Sequence, residues 1–209
     1  TAAQPVTVNM SLGGGANSQP CGSSLPALTN AIAVLKAGGV PVVAANGNDD
    51  YSGQIGFPAC VPGVVKVSAV ANDGVGATRG YFGYDATANR HSGTNLPRPS
   101  NFSGEAIWVV AGGGNGTSIK SSVLSAAGTA SYRGMSGTSQ AAPQVAGLYA
   151  AVKAAVAMDP MQPPISVDGV SEWIRGNARV PTTLPMCGGG SSGTCAESLS
   201  FDRIRLPNL

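Results

Sequence analysis

The chain has 209 residues, 43% of them apolar and only 11% charged, with a net charge of +2. An average soluble domain carries roughly 25% charged residues; low charge combined with this much apolar content excludes a disordered, solvating segment. The few basic residues are scattered, which leaves no electrostatic footprint for nucleic acid or a membrane surface.

In chain order, PVTVNMSL (5–12) alternates β-branched and small residues and meets GGG, the pattern of a buried strand stopped by a turn. It reads as a strand entered midway, without the basic and apolar regions of a signal peptide. SSLPALTNAIAVLKAGG then predicts a helix with Ser23 or Ser24 as its N-cap, proline in its first turn and Gly38–Gly39 at its close. VPVVAA (40–45) and GVVKVSAVA (63–71) are continuous apolar runs, as expected of parallel strands covered on both faces.

Residues 72 to about 97 turn polar and rich in Gly, Asn and Arg, which predicts a long surface insertion. EAIWVVAGG resumes as a strand, and SIKSSVLSA followed by SYRGMSG suits a hairpin. A long helix is expected from about 138 to 157, a shorter one over SVDGVSEWIRGNA with Ser166 as its cap, and an edge strand in SLSFDRIRLPNL. The longest apolar stretch, 141–158, is interrupted by Pro143, Gln144 and Lys153, so it reads as a buried helix and not a membrane span. Together these elements predict one three-layer α/β domain over 1–209, its sheet mostly parallel and doubly wound, and incomplete at the N-terminal side.

Cys187 and Cys195 bracket a flexible GGGSSGT loop, which suggests one disulfide and leaves Cys21 and Cys60 for a second; four buried free thiols are the alternative. No C-x-x-C is present, and a single histidine cannot complete the usual zinc patterns, so no metal site is expected. No acidic run matches a calcium loop, although a structural calcium held by backbone carbonyls would leave no sequence signature. An even cysteine count with little charge favours an extracytoplasmic, secreted setting. Asn101 and Asn115 begin N-x-[ST] sequons.

The chemistry concentrates in YRGMSGTSQAAPQVAGLYAAVKAAVA (132–157). Gly134 and Gly137 allow a sharp turn, and Ser139 would stand in the first helical turn, where unpaired N–H groups and the helix dipole favour developing negative charge. Taken alone, Ser139 reads as a capping serine. No G-x-S-x-G elbow is formed, because the closing glycine is missing both at Gly137–Ala141 and at Gly134–Thr138.

The segment GTSQAAPQVAG (137–147) resembles the active-site serine motif of the subtilisin-like serine peptidases. VNMSLGGG (8–15) resembles the family's substrate-pairing strand, VPVVAANGND (40–49) the strand that ends in its oxyanion-hole asparagine, and GFPACVPGVVKVSAV (56–70) the wall segment that follows. The resemblance covers most of the chain, with its motifs in the family's order. It implies that Ser139 is the nucleophile and Asn48 the oxyanion-hole side chain. It also implies that Ser11, Leu12 and Gly13 pair with an extended peptide, and that Ala44, Ala45, Gly47 and Gly56 outline the primary specificity pocket. No cofactor is implied for catalysis. Asp49 would either draw basic side chains to that pocket or lie solvated at its rim. Gln144 stands where the family usually has histidine, and Asn46 where it has a small residue.

A serine nucleophile needs a base oriented by a carboxylate. In the family order these precede the MSLGG strand, so the chain is expected to draw its catalytic Asp and His from a companion N-terminal chain or segment. Its one histidine, His91, falls in the polar insertion with Pro97 and Pro99 behind it and reads as a surface loop residue. The first expectation is therefore a serine endopeptidase acting on protein or peptide through an acyl-enzyme at Ser139. The alternative is a non-catalytic peptide-binding module. A third reading, Thr1 as an N-terminal nucleophile, has no further support in the sequence.

Overall fold

A computed structural model describes residues 6–70, 81–85, 90–111, 119–124, 128–187 and 195–204. The central sheet has six strands in the order β1 (Val8–Met10), β3 (Val42–Ala45), β5 (Val65–Val70), β8 (Ile107–Ala111), β12 (Cys195–Ile204) and β11 (Arg179–Cys187). β1, β3, β5, β8 and β12 run parallel, and β11 alone returns antiparallel to β12. Smaller two-stranded sheets are formed by β2 (Gly14–Asn17) with β4 (Ile55–Phe57), by β6 (Tyr81–Asp85) with β7 (Arg90–Gly93), and by β9 (Ile119–Leu124) with β10 (Ala130–Met135).

Burial on both faces explains the continuous apolar runs. Every residue of β3 and β5 is buried. Alternate side chains separate into two layers. Val43, Ala45, Val65, Val67 and Ala69 face α2 (Thr138–Ala157) and α3 (Val167–Asn177), whereas Val42 and Ala44 face α1 (Pro26–Ala37). The result is a three-layer α/β fold. The α2 surface buries Thr138, Ala141, Ala142, Val145, Ala146, Tyr149 and Val152, at helical spacing. The small residues near its start bring the helix close to the sheet.

α1 closes as expected, through a Schellman motif in which Gly39 (φ +75°) donates to the Lys36 carbonyl and Val40 to that of Leu35. α3 is capped by Ser166, whose hydroxyl accepts from Gly169 N–H at 3.0 Å. Several expectations need correction. Ser23 and Ser24 do not cap α1: they belong to a 3-10 turn, and Leu25 occupies the cap position ahead of Pro26. The glycines after β1 do not end the sheet structure there, because Gly14 opens β2. The C-terminal strand is not an edge. β12 lies between β8 and β11, and β11, which contains Pro181 and Pro185, takes the edge where missing N–H donors are tolerated.

The polar insertion is not all surface. Its end, Thr94 to Pro97, is buried, and Asn95 is fully enclosed. Cys21 and Cys60 form a disulfide. The backbone register places Cys187 opposite Cys195, whose side chains lie outside the described residues. One lysine, Lys66, is completely buried beside Glu105.

Candidate active site

The site forms where β1 and β3 reach their C-terminal ends and α2 begins, the end of a parallel sheet at which ligands bind. Gly137, not Ser139, holds the N-cap position of α2. Its φ is +142°, and a Cβ there would sit 3.2 Å from both amide atoms of Asn48. The backbone angle calls for glycine, and a side chain there would also press on the Asn48 amide. Thr138 and Ser139 are the first two helical residues, and Ser139 N–H has no intrahelical acceptor at that position.

Pro143 lies inside α2 and has no N–H to donate to the carbonyl of Ser139, four residues earlier. That carbonyl accepts instead from Ser11 Oγ at 2.8 Å, and Ser139 Oγ in turn donates to the Ser11 carbonyl at 3.1 Å. The end of β1 is thus stitched to the start of α2 by a reciprocal pair. Gln144 Nε2 donates to the Gln140 carbonyl at 2.9 Å, a local bond within the helix.

Asn48 is oriented from its oxygen. Oδ1 accepts from Thr138 N–H and from Thr138 Oγ1, each at 2.9 Å. Thr138 Oγ1 also accepts from Gly47 N–H at 3.2 Å. With the oxygen so engaged, the amide nitrogen is the end of Asn48 left to donate outward. Leu12, Gly13, Gly14, Ala45, Gly47, Asn48, Asp49, Thr138 and Ser139 line one pocket of about 190 Å³.

Most of the expected residues therefore meet in one place. Ser11 touches Ser139 from beside the pocket. Gly56 lies behind it: a Cβ there would come within 3.2 Å of Gly14 backbone atoms. Ala44 does not join the pocket; the strand alternation turns it into the core against α1, with Ile32 and Cys60. Asn46 is fully buried and donates to Ser68 Oγ at 2.8 Å, so its bulk is absorbed by a local bond and not by the pocket. Asp49 lines the pocket while its Oδ2 accepts from Asn95 Nδ2 at 3.2 Å.

The backbone of His91 belongs to strand β7, opposite Tyr84, and not to a loop; its side chain, like Thr1 and Asn115, lies outside the described residues. Among the described residues, no group of three or more His, Cys, Asp or Glu side chains is placed to hold a metal ion. The roles of Thr138, Gly14 and Asn95 escape a reading of the sequence. Thr138 is inside the serine motif and was open to detection there, whereas a buried asparagine at the end of a polar stretch carries no local signal.

The model of the subtilase family matches residues 3–190. The chain belongs to the subtilase family. It is 32% identical over 192 residues to an extracellular protease of Xanthomonas campestris pv. campestris, covering 92% of this chain and 27% of that protein. It is 34% identical over 148 residues to subtilisin DY of Bacillus licheniformis, covering 69% of this chain and 41% of that protein. Among solved structures, proteases from Pseudoalteromonas arctica superpose with a TM-score of 0.61 at 27% identity, over 91% of this subtilase chain and 51% of theirs. Sphericase, with a TM-score of 0.58 at 24% identity, shares the fold over 95% of this chain and 57% of its own. The chain thus spans well under two thirds of each of these relatives. No described helix is long and apolar enough to cross a membrane.

Proposed function

We propose that this chain is the C-terminal part of a subtilase catalytic domain, and that it supplies the nucleophile and oxyanion arm of a serine endopeptidase. The observation that carries this reading is the shared pocket: Ser139 and Asn48 line it together, with Asn48 Oδ1 held by Thr138. In the reaction, Ser139 Oγ attacks a peptide carbonyl and passes its proton to a histidine oriented by an aspartate. Asn48 Nδ2 and Ser139 N–H receive the oxyanion, the tetrahedral species expels the amine, and water hydrolyses the acyl-enzyme. The histidine and aspartate come from a segment or companion chain outside these 209 residues. The substrate backbone lies along Ser11, Leu12 and Gly13 as an added strand, with the Ala45–Gly47 edge beside its side-chain slot. Catalysis needs no cofactor. The Cys21–Cys60 disulfide and the extracellular relative support an extracytoplasmic setting, and a second disulfide, Cys187–Cys195, is favoured by their facing backbone positions.

The test is labelling of the intact protein with a fluorophosphonate. Rapid labelling that Ser139→Ala abolishes, together with loss of peptide hydrolysis, is the expected result. The second reading is a non-catalytic peptide-binding module, in which Ser139 Oγ stays bonded to the Ser11 carbonyl. No labelling in the intact protein, with peptide binding retained, would establish that second reading.

A further inference from the structure

Asn95 uses its whole amide on the loop that carries Asn48. Its Oδ1 accepts from Asp49 N–H at 2.9 Å and Tyr51 N–H at 3.1 Å. Its Nδ2 donates to the Asn46 carbonyl at 3.1 Å and to Asp49 Oδ2 at 3.2 Å. The main chain adds Asn95 N–H to the Gly47 carbonyl at 3.0 Å, while the Asn95 carbonyl accepts from Ser68 Oγ at 2.7 Å. Asn95 itself is fully buried, so a bond left unmade would strand one of its polar atoms away from water, which is costly.

The loop needs such support. Gly47 has φ +108°, and a Cβ on it would collide with the Asn95 amide. Asp50 has φ +57°, in the left-handed region that a non-glycine residue enters only when its surroundings hold it there. The two N–H groups that Asn95 Oδ1 binds, Asp49 and Tyr51, flank Asp50 on either side. The bifurcated acceptor therefore clamps the strained residue, and Asn48 hangs on the near side of the clamp.

We propose that Asn95 is the positioning residue of the oxyanion arm, acting on the reaction only through Asn48. The catalytic consequence rests on the peptidase reading above; the hold on the loop does not. Asparagine suits the task because it both accepts and donates. Aspartate would keep the two accepted bonds but set a second carboxylate against Asp49 and the Asn46 carbonyl.

The experiment uses the intact protein and two readouts. In hydrogen exchange, Asn95→Ala and Asn95→Leu, which both remove the acceptor of the Asp49 and Tyr51 N–H groups, should speed exchange of those two amides by about tenfold or more, with core-strand amides unchanged. Unchanged exchange at those two amides overturns the inference whether or not the chain proves catalytic, whereas Ser139→Ala tests the peptidase reading alone. In kinetics, Asn95→Asp should lower kcat by about tenfold with KM changed less than about threefold. Adding Asp49→Asn should regain at least about threefold, because an amide can then face the new carboxylate. In an Asn48→Leu background, Asn95→Asp should change kcat by less than about twofold. An equal loss in both backgrounds, or no gain from the Asp49→Asn partner, would show a general packing role and overturn positioning through Asn48. Asn95→Leu keeps the branched side-chain shape without the acceptor, and Asn95→Asp keeps the side-chain volume, so the exchange and swap tests both survive if Asn95→Ala fails to fold.

Discussion

Asn48 and Thr138 are 90 positions apart in sequence, yet Asn48 Oδ1 takes both polar hydrogens of Thr138, from its backbone and its hydroxyl, at 2.9 Å each. One residue from a loop after β3, itself lining the pocket, is thereby keyed to the first turn of α2 through its amide oxygen, with its amide nitrogen outside that pairing. The pairing also uses one of the N–H groups that a helix start leaves without an internal partner.

Replacing Asn48 by leucine should therefore remove a donor without removing the loop. The expected outcome in the intact protein is a fall in kcat of about 10²–10³ with a small change in KM, measured on a chromogenic peptide. Thr138→Val keeps the backbone bond but loses the hydroxyl one, and should fall between wild type and Asn48→Leu. Equal kcat in wild type and Asn48→Leu would remove Asn48 from the reaction.

The Ser11–Ser139 link depends on a proline that does not touch Ser11. Because Pro143 cannot donate to the Ser139 carbonyl, Ser11 Oγ fills that place. Ser11→Ala should lower stability by about 1 kcal/mol, the usual net value of one hydrogen bond. In a Pro143→Ala background the helix N–H is restored, and the same Ser11→Ala change should cost less than half as much. Urea denaturation of the four proteins reads this coupling directly. Additive losses would mean that the two residues serve the carbonyl independently.

The legible parts of the sequence were those set by short-range patterns. β3, β5 and β8 announced themselves as apolar runs because both faces are covered, α2 by its long small-residue apolar stretch, and α3 by its Ser166 cap and periodicity. The meeting of Ser139 with Asn48 was reachable through a family resemblance, since no spacing rule brings positions so far apart together. What was missed depends on long-range burial. Ala44 and Ala45 are neighbours of one chemical type, and only the phase of the strand decides which faces the pocket. Asn95 stands in a stretch that reads as solvated, and its enclosure comes from contacts with residues 46–51 and Ser68. The β11 edge strand was hidden by its own prolines, which argue against a strand until an edge position is known.

The α2–sheet interface contains a closed polar chain. Trp108 Nε1 donates to Tyr149 Oη at 3.0 Å, Tyr149 Oη meets Ser171 Oγ at 2.6 Å, and Ser171 Oγ bonds the Val167 carbonyl at 3.1 Å. Burial raises the Tyr149 pKa above its ordinary value, with the bonds to Ser171 and Trp108 opposing, so the phenol stays protonated inside the core. Tyr149→Phe should cost about 1–3 kcal/mol, mainly by leaving the buried indole N–H without an acceptor. Thermal or urea unfolding checks this. A neutral result would mean that the indole finds another acceptor when the hydroxyl is removed.

Lys66 gives the fold a pH signature of unusual direction. Its ammonium is buried among the Val61 and Val64 carbonyls at 3.4 and 3.1 Å, Glu105 Oε2 at 3.5 Å and the Phe102 ring, whose centroid lies 5.3 Å away. Desolvation dominates, Glu105 opposes it and Lys36 adds to it, so the pKa falls from 10.5 to about 8. In the unfolded chain the lysine keeps its proton up to about pH 10.4. Between these values the unfolded state binds more protons than the native one, so stability rises with pH, with a limiting slope of about 1.4 kcal/mol per unit. Below about pH 8 both states carry the charge and this contribution is flat. Urea midpoints measured from pH 7 to 10 should therefore climb more steeply in the wild type than in Lys66→Met, which has no such proton to lose. Parallel curves for the two proteins would show that the buried ammonium keeps its charge through that range, held by Glu105 against the cost of its burial.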